Sequence, residues 1–125
     1  MRKQYHLRPS SQGFYAWDID KLIEASSAFP VVTVPLDDIK DLDENFWYNG
    51  EKDIPSGRSI AQHVQLINEA DLSFPVILTE GNRVMDGMHR LVKALTLGHK
   101  TIKAVVFEIT PPPDYRDVKV DDLPY

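Results

Sequence analysis

The sequence predicts a single α/β (α+β) domain, with helices packed around a small mixed β-sheet. Three stretches carry that prediction. The apolar run Pro75-Val76-Ile77-Leu78-Thr79 has the composition of a buried strand, and the tight-turn pair Gly81-Asn82 returns the chain through Arg83-Val84-Met85. From Met88 to Leu97 the apolar residues take helical spacing, with Leu91, Ala94 and Leu95 on one face and Gly98 where a glycine ends a helix. Thr101 to Ile109 is β-branched and apolar enough to form a second buried strand.

Composition bounds the function. A chain of 125 residues can bury one real core, and 42% hydrophobic with 26% charged residues is ordinary for a globular domain. No apolar run approaches the ~20 residues that span a membrane. The basic residues near the N-terminus have no apolar stretch behind them, so they do not read as a secretory signal. The absence of cysteine excludes disulfides, thiol nucleophiles and thiolate zinc sites, and it fits a cytoplasmic protein. A net charge of −5 argues against nucleic acid as a partner, because a sequence-independent grip needs a basic face.

The elements follow in order. Residues 1–16 contain Pro9, Ser10, Ser11 and Gly13, which interrupt regular patterns, while Phe14, Tyr15 and Trp17 need cover; an aromatic arm packed on the domain is expected. Asp18 is a candidate N-cap for a helix carrying Ile19, Leu22 and Ile23, which should fade before Pro30. Val31 to Leu36 is a strand candidate that Pro35 assigns to a sheet edge. Asp37 to Asp53 is acidic, interrupted by Phe46-Trp47-Tyr48 and the turn pair Asn49-Gly50; it reads as a solvated segment whose aromatics plug into the core, or as a loop that carries a carboxylate and a ring over a ligand. Pro55-Ser56-Gly57 opens a helix with Ser56 or Ser59 as cap and an apolar face of Ile60, Ala61, Val64, Ile67 and Ala70. His63, on or beside that face, reads as a packed or surface histidine. After Ile109, Pro111-Pro112-Pro113 enforces an extended path, and Tyr115, Val118, Val120, Leu123 and Tyr125 favour docking of the tail. The chain therefore divides into an arm and helix over 1–30, a central domain over 31–109 and a proline-led tail over 110–125. The arm and tail are the candidate surfaces for self-association.

Chemistry concentrates at Asp86-Gly87-Met88-His89-Arg90, where a strand passes into a helix. The first turn of a helix offers free N–H groups and the positive end of the dipole, and Gly87 lets a ligand approach the backbone. His89 can donate a hydrogen bond or move a proton, and Arg90 can fork onto an anion. These features suit a phosphate. The same residues also fit a plain junction in which Asp86 caps the helix, Gly87 makes the turn and Arg90 pairs with an acid. His6, His63, His89 and His99 show no paired metal-ligand spacing, so no metal ligand is assigned. Neither a P-loop nor a dinucleotide fingerprint is present.

From Val31 to Glu108 the chain resembles the ParB/sulfiredoxin-like superfamily. The resemblance rests on Val34-Pro35-Leu36-Asp37-Asp38-Ile39, the helix from about Ser59, the strand Pro75-Val76-Ile77-Leu78, the signature Val84-Met85-Asp86-Gly87-Met88-His89-Arg90 with Ala94 and Gly98, and the closing strand from Ile102 to Phe107. It implies a nucleotide phosphate, from ATP or ADP with Mg2+, held by Gly87, Met88, His89 and Arg90. Met88 stands where sulfiredoxins carry their catalytic cysteine, which excludes that chemistry. The chromosome-partition members' arginine pair and downstream helices are missing. The free-serine kinase pattern Asp-Gly-His-His-Arg differs only at Met88. That similarity implies an ATP-dependent phosphotransferase acting on a small hydroxyl substrate, with Asp86 and His89 catalytic and Glu44 as the nearest upstream carboxylate. The alternative is a non-catalytic interaction module that retains the fold.

Overall fold

The computed structural model describes residues 3–48 and 51–125, so the expected Asn49-Gly50 turn lies outside the described residues. The domain is α+β. Its body is a four-stranded mixed sheet in the order β3-β6-β4-β5, from β3 (Val32–Pro35), β4 (Val76–Thr79), β5 (Arg83–Asp86) and β6 (Thr101–Val106). β4 and β6 are parallel, and the other two pairings are antiparallel. The chain runs from β4 through the β5 return and helix α3 (Met88–Thr96) into β6, the expected order of elements. Gly81 and Asn82 both take positive φ, +70° and +57°, as a tight strand return requires. The far end of α3 closes in a Schellman arrangement: Gly98 (φ +80°) donates to the Leu95 carbonyl and His99 donates to that of Ala94. Pro35 lies on the edge strand β3, where no further strand needs its missing N–H.

Strand alternation buries both faces of this sheet. Val76, Leu78, Val84, Ile102 and Ala104 face one core with Leu36, Ile39, Met88, Leu91 and Ala94. Ile77 and Met85 face the other, with Trp17, Ile19, Leu22 and Phe107. Helix α1 (Ile19–Ser26) covers that second face, capped by Asp18, whose carboxylate accepts from the Asp20 N–H. Within α3 the inward stripe is Met88, Leu91 and Ala94; Leu95, expected on that face, is 52% exposed.

The N-terminal segment corrects the sequence reading. Instead of an irregular arm, β1 (Tyr5–Ser10) and β2 (Gly13–Asp18) form an antiparallel hairpin, and β7 (Tyr115–Val118) adds to β2 to complete a three-stranded sheet, β1-β2-β7. Pro9 is tolerated because β1 is an edge strand. The tail is tied down further: Trp17 Nε1 donates to the Pro111 carbonyl at 2.8 Å, Tyr5 donates its hydroxyl hydrogen to the Pro124 carbonyl at 2.7 Å, and Leu123 is buried. Helix α2 (Gly57–Glu69) is capped by Ser56, which accepts from the Ser59 N–H. Its inner side shares only Ile67 and Ala70 with the expected apolar stripe. Ser59, His63, Ile67 and Ala70 are the half-buried positions, whereas Ile60 and Val64 stand exposed.

His6 joins the β1–β2 hairpin to the acidic loop. Its ring lies 5.7 Å from that of Trp17 and stacks at 6.4 Å on Phe46, and its Nε2 accepts from Arg8 Nε at 3.0 Å. Burial, then the Arg8 charge, lowers its pKa to about 4. The unfolded chain therefore takes up this proton near pH 6.5 and the native state only near pH 4. Stability should be complete above pH 6.5 and fall by up to about 3 kcal/mol towards pH 4. Urea unfolding across this range should show a shallower loss in His6→Gln; an identical slope would contradict the assignment.

Candidate functional site

The site forms where β5 passes into α3. The register between β4 and β5 shifts by one residue: Ile77 faces Asp86, but Leu78 faces Val84. That bulge at the end of β5 re-aims Asp86 at the start of the helix. Gly87 follows with φ +109°. A Cβ on Gly87 would lie 2.6 Å from Val76 Cγ1 and 3.1 Å from Arg90 Nη2, so both the backbone angle and the surroundings require glycine.

The missing side chain makes room for the Arg90 guanidinium. Nη2 donates to Asp86 Oδ2 at 2.8 Å, and Nη1 donates to the carbonyls of Pro75 (2.7 Å) and Phe74 (3.1 Å). Three contacts thus commit Arg90 to the chain, and the fork the sequence offers to an anion is used mostly inside the protein. Asp86 holds Arg90 instead of capping α3; the cap position belongs to Gly87, with no side-chain cap bond. α1 and α2 are capped by Asp18 and Ser56, so α3 starts differently from both. Met88 is buried in the core, leaving only its backbone for a ligand.

Two clefts open onto this turn, both lined by Asp86, Gly87, His89 and Lys3. The larger, about 910 Å³, lies towards α1 and α2 with Ile23, Leu66 and Phe74 on its walls and Asp20 and Asp71 on its rim. The second, about 580 Å³, is aromatic, with Tyr5, Phe46, Trp47 and Tyr125. The Lys3 ammonium lies 2.9 Å from Asp18, and that contact holds its pKa above the usual value.

Glu44 is not brought to this turn. Its carboxylate pairs with Arg83, which also holds Asp41 at 2.6 Å, while the other Asp41 oxygen accepts from the Val84 N–H at 2.7 Å. These contacts latch the acidic segment onto the outer edge of β5, and Glu44 lines neither cleft. The sequence reading also missed three side chains at the site: Lys3, Asp20 and Asp71. They are far apart in the chain, and only the packing of the β1–β2 sheet, α1 and α2 around β5 brings them near. His89 meets His63 from α2, with Nδ1 of His63 2.9 Å from Nε2 of His89, and Trp47 stacks on both rings. The signal for His63 was its place in the Ser59-His63-Ile67-Ala70 stripe, masked by the more apolar neighbouring face.

No family model and no curated protein sequence matches this chain. Among solved structures the chain is similar to the pNOB8-like ParB N-domain, at 20% sequence identity over 62% of this chain and with a TM-score of 0.36. The match covers 27% of that solved chain, so this protein spans only part of its length.

Gly87→Ala should lower stability by about 3 kcal/mol, combining left-handed strain with the clash against Val76. Gly81→Ala, at φ +70° in open space, should cost about 1–2 kcal/mol. Equilibrium unfolding of the two variants checks the difference; equal losses would mean that the packing around Gly87 contributes nothing.

Proposed function

We propose that the start of α3 binds the phosphates of a nucleotide that arrives with Mg2+. The observation that carries this reading is the uncapped first turn of α3 opening, after a bulge and an obligatory glycine, onto clefts lined by Lys3 and His89. Free first-turn N–H groups and the helix dipole favour an anion there. Lys3, paired with Asp18 at 2.9 Å, places a positive charge on the lining of both clefts, and His89 supplies an N–H donor. The rings of the second cleft offer apolar surface to a base. Asp20 and Asp71 would repel a bare polyphosphate, so the nucleotide would carry its own divalent cation in; the described residues hold no cluster of three metal-binding side chains.

Phosphoryl transfer to a small hydroxyl compound is the finer form of this proposal. In it Asp86, oriented by Arg90, would accept the hydroxyl proton. Glu44 contributes only by holding Arg83, and the carboxylates nearer to hand are Asp20 and Asp71.

A second reading rests on α2. Ile60 and Val64, one turn apart and about half exposed, form an apolar strip suited to a protein partner. That strip, and not the tail that the chain itself occupies, is where an interaction module would present its surface.

Thermal unfolding with ATP, ADP, CTP and GTP, each with and without Mg2+, tests the nucleotide reading. A ligand at 100 times its Kd adds about 2.7 kcal/mol, enough to raise Tm by several degrees. The expected result is a Mg2+-dependent rise with at least one nucleotide, reduced in Lys3→Ala and His89→Ala. No rise with any of them would remove the nucleotide reading and leave the α2 strip as the functional surface.

A further inference from the structure

Two imidazoles meet edge to edge beside the α3 start. His63 and His89 have ring centroids 5.1 Å apart and planes 26° from parallel, with Nδ1 of His63 2.9 Å from Nε2 of His89. Trp47 lies flat over both, 4.1 Å from His63 and 4.9 Å from His89. Tyr48 meets His63 edge-on at 5.7 Å, and its hydroxyl is 3.1 Å from Ser59 Oγ. Three segments thus hold the two rings: α2, α3 and the acidic loop. Neither ring can turn without displacing the Trp47 stack.

A hydrogen bond between two imidazole nitrogens needs one N–H and one lone pair. Two neutral arrangements satisfy it. If His63 Nδ1 donates, His89 Nε2 is the acceptor and His89 carries its proton on Nδ1. If His89 Nε2 donates, its Nδ1 is a bare lone pair and offers an anion no hydrogen. Only the first arrangement makes His89 a donor to a ligand. We propose that His63 is a positioning residue for His89: its Nδ1–H, clamped under Trp47, holds His89 in the Nδ1–H tautomer and keeps an N–H available at the start of α3. The part of this inference that concerns a ligand rests on the phosphate-binding reading; the tautomer itself does not.

The surrounding charges favour the same arrangement. Burial lowers the pKa of both rings; for His89 the His63 ring adds to the effect, and for His63 Asp53 opposes it. On its own turn, His89 has the Asp86–Arg90 pair, whose charges offset each other, and across the clefts it has Lys3. The bond to His89 survives an added proton on Nε2 of His63, the ring whose charged form Asp53 favours, and breaks when Nε2 of His89 is protonated.

Two-bond 1H–15N correlation spectra of the full chain test this directly. In the wild type at pH 7.5, Nδ1 of His89 should be the protonated nitrogen and Nε2 the bare one. In His63→Ala, His89 should lose that single-tautomer pattern and titrate at higher pH. His63→Asn, whose side-chain amide can place an N–H near the lost Nδ1–H, should restore it. Mg-ATP affinity at pH 7.5 should fall about tenfold in His63→Ala and return to within about twofold in His63→Asn. A wild-type His89 protonated on Nε2, or an unchanged His89 pattern in a folded His63→Ala, would overturn the inference whatever the nucleotide does. The expected tautomer with no Mg-ATP binding would uphold the histidine pairing and remove the nucleotide reading alone.

Discussion

The Arg90 guanidinium is the contact on which the rest of the architecture depends. It joins the start of α3 to the last residue of β5 through Asp86, and to the chain leading into β4 through the carbonyls of Phe74 and Pro75. β4 is a central strand, paired with β5 on one side and β6 on the other. The clamp therefore sets how the helix leaves the sheet and where its first turn faces. Gly87 makes it feasible, because a side chain there would meet both Val76 and Arg90. The clamp's members are partly buried, so these charge-assisted bonds count for more than a surface pair would.

This contact changes the meaning of the motif. Asp86 and Arg90 read from spacing as ligand-facing groups, or as a cap and a pairing residue. The two in fact pair with each other, and the cap position is left to glycine. In the proposed nucleotide site the phosphates would therefore meet the first-turn backbone, His89 and Lys3, and Asp86 would keep only the role of base. A second polar latch, Arg83 with Asp41 and Glu44, closes the outer edge of β5, and the same segment brings Phe46 and Trp47 against the core beside α3. The ring stack of Trp47, His63 and His89 then links that loop to the site.

The segments legible in the sequence were those whose signals are local. The Val76–Thr79 run, the positive-φ Gly81-Asn82 return, Gly98 beyond α3 and the Asp18 and Ser56 caps each declare themselves within a few residues. What stayed hidden depends on partners distant in the chain. The β1–β2 hairpin contains Pro9 and a polar turn, and β7 follows a proline run, so neither reads as strand until each finds the other's edge. The inner face of α2 was misread because its exposed side is the more apolar one. Glu44 could be placed in a segment by sequence, but only the position of Arg83 decides where its carboxylate goes.

Equilibrium urea unfolding of Arg90→Gln against the wild type is the most direct test of the clamp. Loss of the guanidinium leaves the Asp86 carboxylate and two backbone carbonyls without their donors, and stability should fall by about 3 kcal/mol with an unchanged m-value. A change within about 0.5 kcal/mol, the range of an ordinary surface substitution, would contradict the account and return Arg90 to the ligand-facing role that its motif suggests.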